Sequence, residues 1–170
     1  MSQRLNRASE LMGDAYLLLG EFKKALAAYK SAGMAFSNAA CIEKGNKVLE
    51  RGFEGFEDAF ALFKAAGHKE GLVACGKLAL EAGSYSDARE AFREAGVEMP
   101  KDGLVTCGNK ALELGQTKEA YRSFGAAGVE MPLEGLIACG NKALSEGRTQ
   151  DAYQAFDAAA CIELGEKFVW

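Results

Sequence analysis

Proline and histidine are scarce in this chain, and so are the residue spacings of metal and catalytic chemistry. Only Pro100 and Pro132 interrupt 170 residues, and Ala, Leu, Glu, Lys and Gln fill the segments between glycines. Helix is therefore permitted almost throughout, while the β-branched and aromatic runs that mark strands are nearly missing. No stretch approaches the roughly 18 apolar residues that cross a bilayer. The opening MSQRLNRASE lacks the apolar run of a secretory leader, so the expected location is the cytoplasm, away from membranes. A net charge of -4, from 20 Lys and Arg against 24 Asp and Glu, offers no field attractive to phosphate backbones, and no nucleic-acid partner is expected. An apolar fraction of 49% argues against disorder and for a soluble globular chain.

Catalytic constellations are equally sparse. The single histidine, His68, follows Gly67 in a turn with no nucleophile beside it, and is expected to be a solvated turn residue, with helix capping as the alternative. No serine sits in a strand-to-helix elbow and no GxxxxGK loop occurs, so no enzyme activity and no cofactor are expected. Cys75, Cys107 and Cys139 each stand one residue before a glycine at a constant interval, which makes them members of a repeat. Equivalent atoms of adjacent repeats lie about a helix diameter apart, ~10 Å, beyond the ~7 Å limit for a disulfide. They read as small buried apolar residues, Cys41 and Cys161 likewise, and without a C-x-x-C pair no metal site is expected.

What the chain does have is internal repetition. GKLALEAG, GNKALELG and GNKALSEG open at Gly76, Gly108 and Gly140, 32 residues apart, and weaker copies open at Gly13 and Gly45. Behind each closing glycine comes a second apolar pattern at steps of four and three: Ala25, Tyr29, Ala32; Ala59, Phe63, Ala66; Ala88, Phe92, Ala95; Ala120, Phe124, Ala127; Ala152, Phe156, Ala159. Those steps place three side chains on one helical face, so each repeat is a pair of helices. In the second copy the pattern follows two extra turn residues. Gly108 and Gly140 are expected to let paired helices cross closely while Phe124 and its equivalents plug the space opposite. Gly83, Gly115 and Gly147 are expected to end the first helices, and Gly96 and Gly128 the second.

Leu104, Gly108, Ala111, Gly115, Ala120, Phe124, Ala127 and Pro132 follow the order and spacing of the tetratricopeptide (TPR) repeat, and on these residues the chain resembles that family. The period is 32 residues against the family's roughly 34, both missing residues falling between the proline and the next helix. The resemblance implies an all-α, right-handed superhelical solenoid of antiparallel hairpins. It would form a single domain over 1–170, with repeats at about 5–34, 37–67, 69–100, 101–132 and 133–160 and a C-terminal cap at 161–170. The segment CIELGEKF echoes CIEKGNKV, yet Gly165 follows Gly140 by only 25 residues. A compressed half-repeat is one reading; the expected one is a final helix running unbroken from about Gln150 into FVW, with Phe168 and Trp170 shielding the last hairpin or joining a second molecule.

In TPR proteins the first helices line a concave face, and the resemblance assigns a stripe there. Six residues before the opening glycine it holds Glu70, Asp102 and Glu134; three before, Ile42, Val73, Val105 and Ile137; one after, Asn46, Lys77, Asn109 and Asn141; five after, Glu50, Glu81, Glu113 and Ser145. An amide accepts from a peptide N–H and donates to its C=O, so the Asn row suits an extended backbone, and the acidic row favours a neutral or basic peptide. The alternative is that these are ordinary solvated residues copied by duplication. A TPR subclass that clamps the terminal carboxylate of chaperones needs cations where this chain has Glu70, Ala74, Asp102, Thr106, Glu134 and Ala138, which excludes that assignment. The expected function is an adaptor or scaffold that binds a protein or peptide in this groove. The alternative is a structural scaffold that homo-oligomerises through its ends, Leu17 to Leu19 and Phe168 to Trp170.

Overall fold

The computed structural model describes residues 2–34 and 38–165, apart from the side chains of residues 2–5 and of Leu18. These residues form ten α-helices and no strand: α1 (Ser2–Leu18), α2 (Phe22–Ser31), α3 (Asn38–Leu49), α4 (Phe56–Ala66), α5 (Lys69–Glu81), α6 (Tyr85–Ala95), α7 (Lys101–Glu113), α8 (Thr117–Ala127), α9 (Leu133–Ser145) and α10 (Thr149–Glu163). Successive helices pack as pairs, α1 with α2, α3 with α4, α7 with α8 and α9 with α10. The chain divides into two compact units, residues 1–75 with 91–97, and residues 76–90 with 98–170.

In the first unit each hairpin closes on a glycine and a ring. A Cβ added at Gly13 would lie 2.9 Å from the Tyr29 ring, and one at Gly45 2.7 Å from the Phe63 ring. Phe63 is fully buried, and Gly71 of α5 also lies against its ring, so one ring meets glycines of two successive hairpins. Burial, helped by donation of its hydroxyl to Asp14, pushes the Tyr29 phenol up to about 12. The two extra residues of the second copy become a short 3-10 turn at Gly52–Gly55. A carboxylate links the hairpins as well: the Lys23 N–H at the start of α2 donates to Asp58 of α4 at 3.2 Å.

The second unit repeats these devices. Gly108 faces Phe124 and Gly140 faces Phe156, each ring 2.6 Å from where a Cβ would stand. A further glycine set, Gly103 and Gly135, receives Leu80 and Leu112 of the preceding hairpin, at 2.7 and 2.8 Å from a built Cβ. Leu112, Phe124, Leu136, Cys139 and Ala155 belong to one buried cluster. Pro100 and Pro132 cap α7 and α9 directly, their carbonyls accepting from the Leu104 and Leu136 N–H groups at 3.0 and 3.1 Å, which is how a connector two residues short still starts a helix. The N–H of Ser86 in α6 donates to Glu119 of α8 at 3.0 Å, the counterpart of Lys23 and Asp58. The Arg148 guanidinium donates to the Gly115 and Leu114 carbonyls at 2.6 and 3.0 Å, satisfying orphan acceptors at the end of α7.

The closing glycines behave as expected, with φ of 81° at Gly83, 70° at Gly115 and 74° at Gly147. The expected long final helix is corrected. α10 is unbroken through DAYQAFDAAACIE but stops at Glu163, where the Gly165 N–H bonds back to Ile162 and Gly165 turns left-handed at φ 69°. Gly165 is thus a terminating glycine, and not a copy of Gly45, which lies inside α3. Phe168, Val169 and Trp170, and the side chain of Leu18, lie outside the described residues, as do Ala35, Phe36 and Ser37 of the first junction.

Two glycines only 17 positions apart should respond to alanine with opposite signs. Gly108→Ala forces a methyl into the Phe124 ring and is expected to cost about 1–3 kcal/mol. Gly125→Ala, on α8 with nothing within 4 Å of its Cβ, is expected to add about 0.5–1 kcal/mol. Urea unfolding of both variants checks the signs, and Phe124→Leu in the Gly108→Ala background should recover part of the loss.

Candidate functional site

The cysteines are packing residues. All five are free thiols, and Cys41, Cys75, Cys107 and Cys139 are buried, with Cys161 half-buried. Burial pushes the Cys75 thiol up to about 12 and raises Cys41, Cys107 and Cys139 as well, which suppresses the reactive thiolate. Cys107 accepts from the Ser123 hydroxyl at 3.2 Å, and Cys139 lies 3.4 Å from the Thr117 hydroxyl. Those contacts account for the two buried hydroxyls of α8. No group of three or more His, Cys, Asp or Glu side chains among the described residues is placed to hold a metal ion. Among the same residues no helix is long and apolar enough to cross a membrane.

His68 differs from the solvated turn residue expected of it. It stands between the left-handed Gly67 and the first residue of α5, and its Nδ1 accepts from the Gly71 N–H at 3.0 Å. That is an N-cap geometry, usually supplied by Ser, Thr, Asp or Asn. The bond assigns the imidazole proton to Nε2, which faces Glu70 at 3.5 Å, and the ring leans on Phe63 with centroids 5.5 Å apart. The His68 carbonyl accepts from the Leu72 N–H at 3.1 Å, as the proline carbonyls do at the starts of α7 and α9, and its side chain adds a bond to the Gly71 N–H that neither proline can supply.

The rows assigned to the first helices separate by physical role. Glu70, Asp102 and Glu134 are exposed and occupy the first turns of α5, α7 and α9, where a carboxylate is favoured by the positive end of the helix dipole. This row has a structural reason to repeat. In the aliphatic row, Ile42, Val73 and Val105 are half-buried, and Val105 packs on the core cluster, whereas Ile137 is exposed. The last row is exposed at Glu50, Glu81, Glu113 and Ser145, with Glu113 paired to Lys110 at 2.9 Å. The amide row has no such internal role. The exposed side chains of Asn46, Asn109 and Asn141 make no hydrogen bond among the described residues, and the Lys77 side chain is likewise exposed and unpaired.

In the second unit some of these residues converge. A cleft of about 520 Å³ runs between α7 and α9, lined by Asn109, Leu112 and Glu113 on one side and by Pro132, Gly135, Ala138 and Lys142 on the other. Its walls offer an amide, the exposed ring of Pro132 and small Ala138, with Leu112 seated on Gly135 at its floor. Glu134, Ile137 and Asn141, also on α9, do not line it. Lys142 escapes the stripe because it stands two residues after the opening glycine instead of one. The conspicuous signal for it is a break in the repeat, Ser145 standing where the preceding copy has Glu113. In the first unit a cleft of similar size lies at α1 and the end of α2, lined by residues that include Arg7, Glu10, Asp14 and Met34, none of them in the assigned rows.

Replacing His68 with Ala is expected to cost about 1 kcal/mol, and His68→Asn should restore most of it. Amide exchange at Gly71 separates the lost cap from lost packing, because it accelerates in the Ala variant and stays slow in the Asn variant. Comparison of the chain with family models, with curated proteins and with solved structures finds no match in any of the three.

Proposed function

We propose that this chain is a TPR-type scaffold that binds an extended peptide of a partner protein along the faces of its first helices. The observation that carries the reading is the cleft between α7 and α9. The unpaired amide of Asn109 stands there beside apolar Leu112 and Pro132 and small Gly135 and Ala138. A free amide next to a shallow apolar trough suits a passing main chain: the carboxamide takes one N–H and one C=O, and the trough takes alternate side chains. In this reading the hairpins stack as a right-handed superhelical solenoid, Asn141 continues the contact within the second unit, and Asp102 and Glu134 favour neutral or basic residues along the ligand. Binding is the whole of the proposed activity, with no reaction step, and its expected setting is the cytoplasm.

Self-association through the last hairpin is a second reading, favoured by one residue. Leu80 and Leu112 are 2% and 4% exposed because Gly103 and Gly135 receive them, whereas their equivalent Leu144 is 51% exposed. An end hairpin that leaves such a residue bare invites a further helix bearing a small residue.

Two measurements distinguish the readings. Peptides selected from a displayed random library should lose on the order of tenfold in affinity when Asn109 and Asn141 are both changed to Ala, with the melting temperature unmoved; two neutral hydrogen bonds are worth about that much. Unchanged affinity would refute the groove. Sedimentation over a concentration series should show a single monomeric species, and a reversible association that Leu144→Ser abolishes would favour self-assembly.

A further inference from the structure

Lys142 is the unmatched charge of the cleft. Its equivalent one repeat earlier, Lys110, is neutralised by Glu113 three residues on, at 2.9 Å. The residue three after Lys142 is Ser145, whose hydroxyl turns back onto the Lys142 carbonyl at 2.7 Å and leaves the ammonium without a carboxylate. The next acid along the helix, Glu146, is engaged by Arg148 at 2.6 Å, and Arg148 also holds Asp151 at 2.8 Å. Glu113, across the cleft, is the partner of Lys110. Glu146 and Glu113 are thus each paired with another cation, Glu113 in an exposed pair with Lys110, and Lys142 has no ion pair among the described residues. Its side chain is half-buried in the cleft lining that also holds the free amide of Asn109, Leu112 and Pro132.

From this charge complementarity we propose that the cleft between α7 and α9 seats an acidic side chain, Asp or Glu, of the partner's extended peptide, with Lys142 as its counter-ion and Asn109 holding the adjoining main chain. The proposal rests on the peptide-binding reading and sharpens it to one position: an acid at the cleft, with neutral or basic residues to either side facing the carboxylates at the helix starts. A side chain is chosen over a peptide's terminal carboxylate because the exposed amide row continues beyond the cleft at Asn141, so the ligand's main chain passes through without ending. Ser145 has the defining part, since a glutamate there would satisfy Lys142 internally and close the site to an outside acid.

The probe is an array of acetylated, amidated decapeptides built on sequences selected by the protein, with each central position varied among Glu, Asp, Gln, Asn, Ala and Lys. One position is expected to prefer Glu or Asp over Gln or Asn by roughly tenfold, the size of a charge-assisted hydrogen bond. Lys142→Met should erase that preference, acid and amide peptides then binding within about twofold of each other. Ser145→Glu should erase it too with the lysine still present, and both variants are expected to melt with the parent protein because the changes lie on the helix surface. A preference that survives in both variants overturns the assignment of Lys142, as does equal binding of acid and amide peptides. A preference that appears only in peptides with a free C-terminus assigns the site to a terminal carboxylate and also overturns the proposal. Failure of every peptide to bind overturns the peptide-binding reading together with this one, whereas binding without acid preference overturns this one alone.

Discussion

The distance at which a helix meets its hairpin partner is set by contact between a glycine and a ring: Gly13 with Tyr29, Gly45 with Phe63, Gly108 with Phe124, Gly140 with Phe156. Where a methyl would stand at 2.6 to 2.9 Å from ring carbons, the ring lies against bare backbone. Phe63 also meets a glycine of the following helix, Gly71, so there one ring sets the approach of two hairpins. Small residues become obligatory beside the ring as well, which is why Ala59, Ala111, Ala120 and Cys139 are fully buried while the polar rows are pushed to the outer edge of the first helices.

The exposed rows on those helices are of two kinds. A carboxylate in the first turn of α5, α7 or α9 stabilises its own helix, so its recurrence needs no ligand. An exposed asparagine inside a helix does nothing comparable, since its propensity is below that of the alanine or leucine that would serve the helix better. The Asn row is accordingly the part of the surface whose cost the fold leaves unexplained, and Asn109 stands where the surface is concave.

The hairpins are legible in the sequence because their signals are local: a glycine, a face of small and aromatic residues at steps of four and three, and a closing glycine. What escapes is whatever depends on a neighbour. Gly71, Gly103 and Gly135 keep the same period as the opening glycines, but the period does not reveal that Phe63 meets the first while Leu80 and Leu112 meet the others. His68 is misjudged for a different reason: histidine is a rare cap, so capping stands second to a solvated turn residue until the Nδ1 contact with Gly71 decides for it. Gly165 misleads because CIELG copies CIEKG letter for letter at four of five positions, although one glycine sits inside a helix and the other past the end of one. In the candidate site, Asn109 and Glu113 are readable by position, whereas Lys142 emerges only from seeing which carboxylates already have partners.

Borrowed helix ends have a consequence for how the chain assembles. One N–H in the first turn of α2, that of Lys23, is answered by Asp58 of the following hairpin, one in α6, that of Ser86, by Glu119, and the Leu114 and Gly115 carbonyls just past α7 by Arg148. A hairpin made alone would have frayed ends, and each gains its full order only when its successor docks. The order of assembly follows from these links: α2, α6 and the end of α7 reach full order only after the hairpin that follows each has docked, and they loosen first when it is removed.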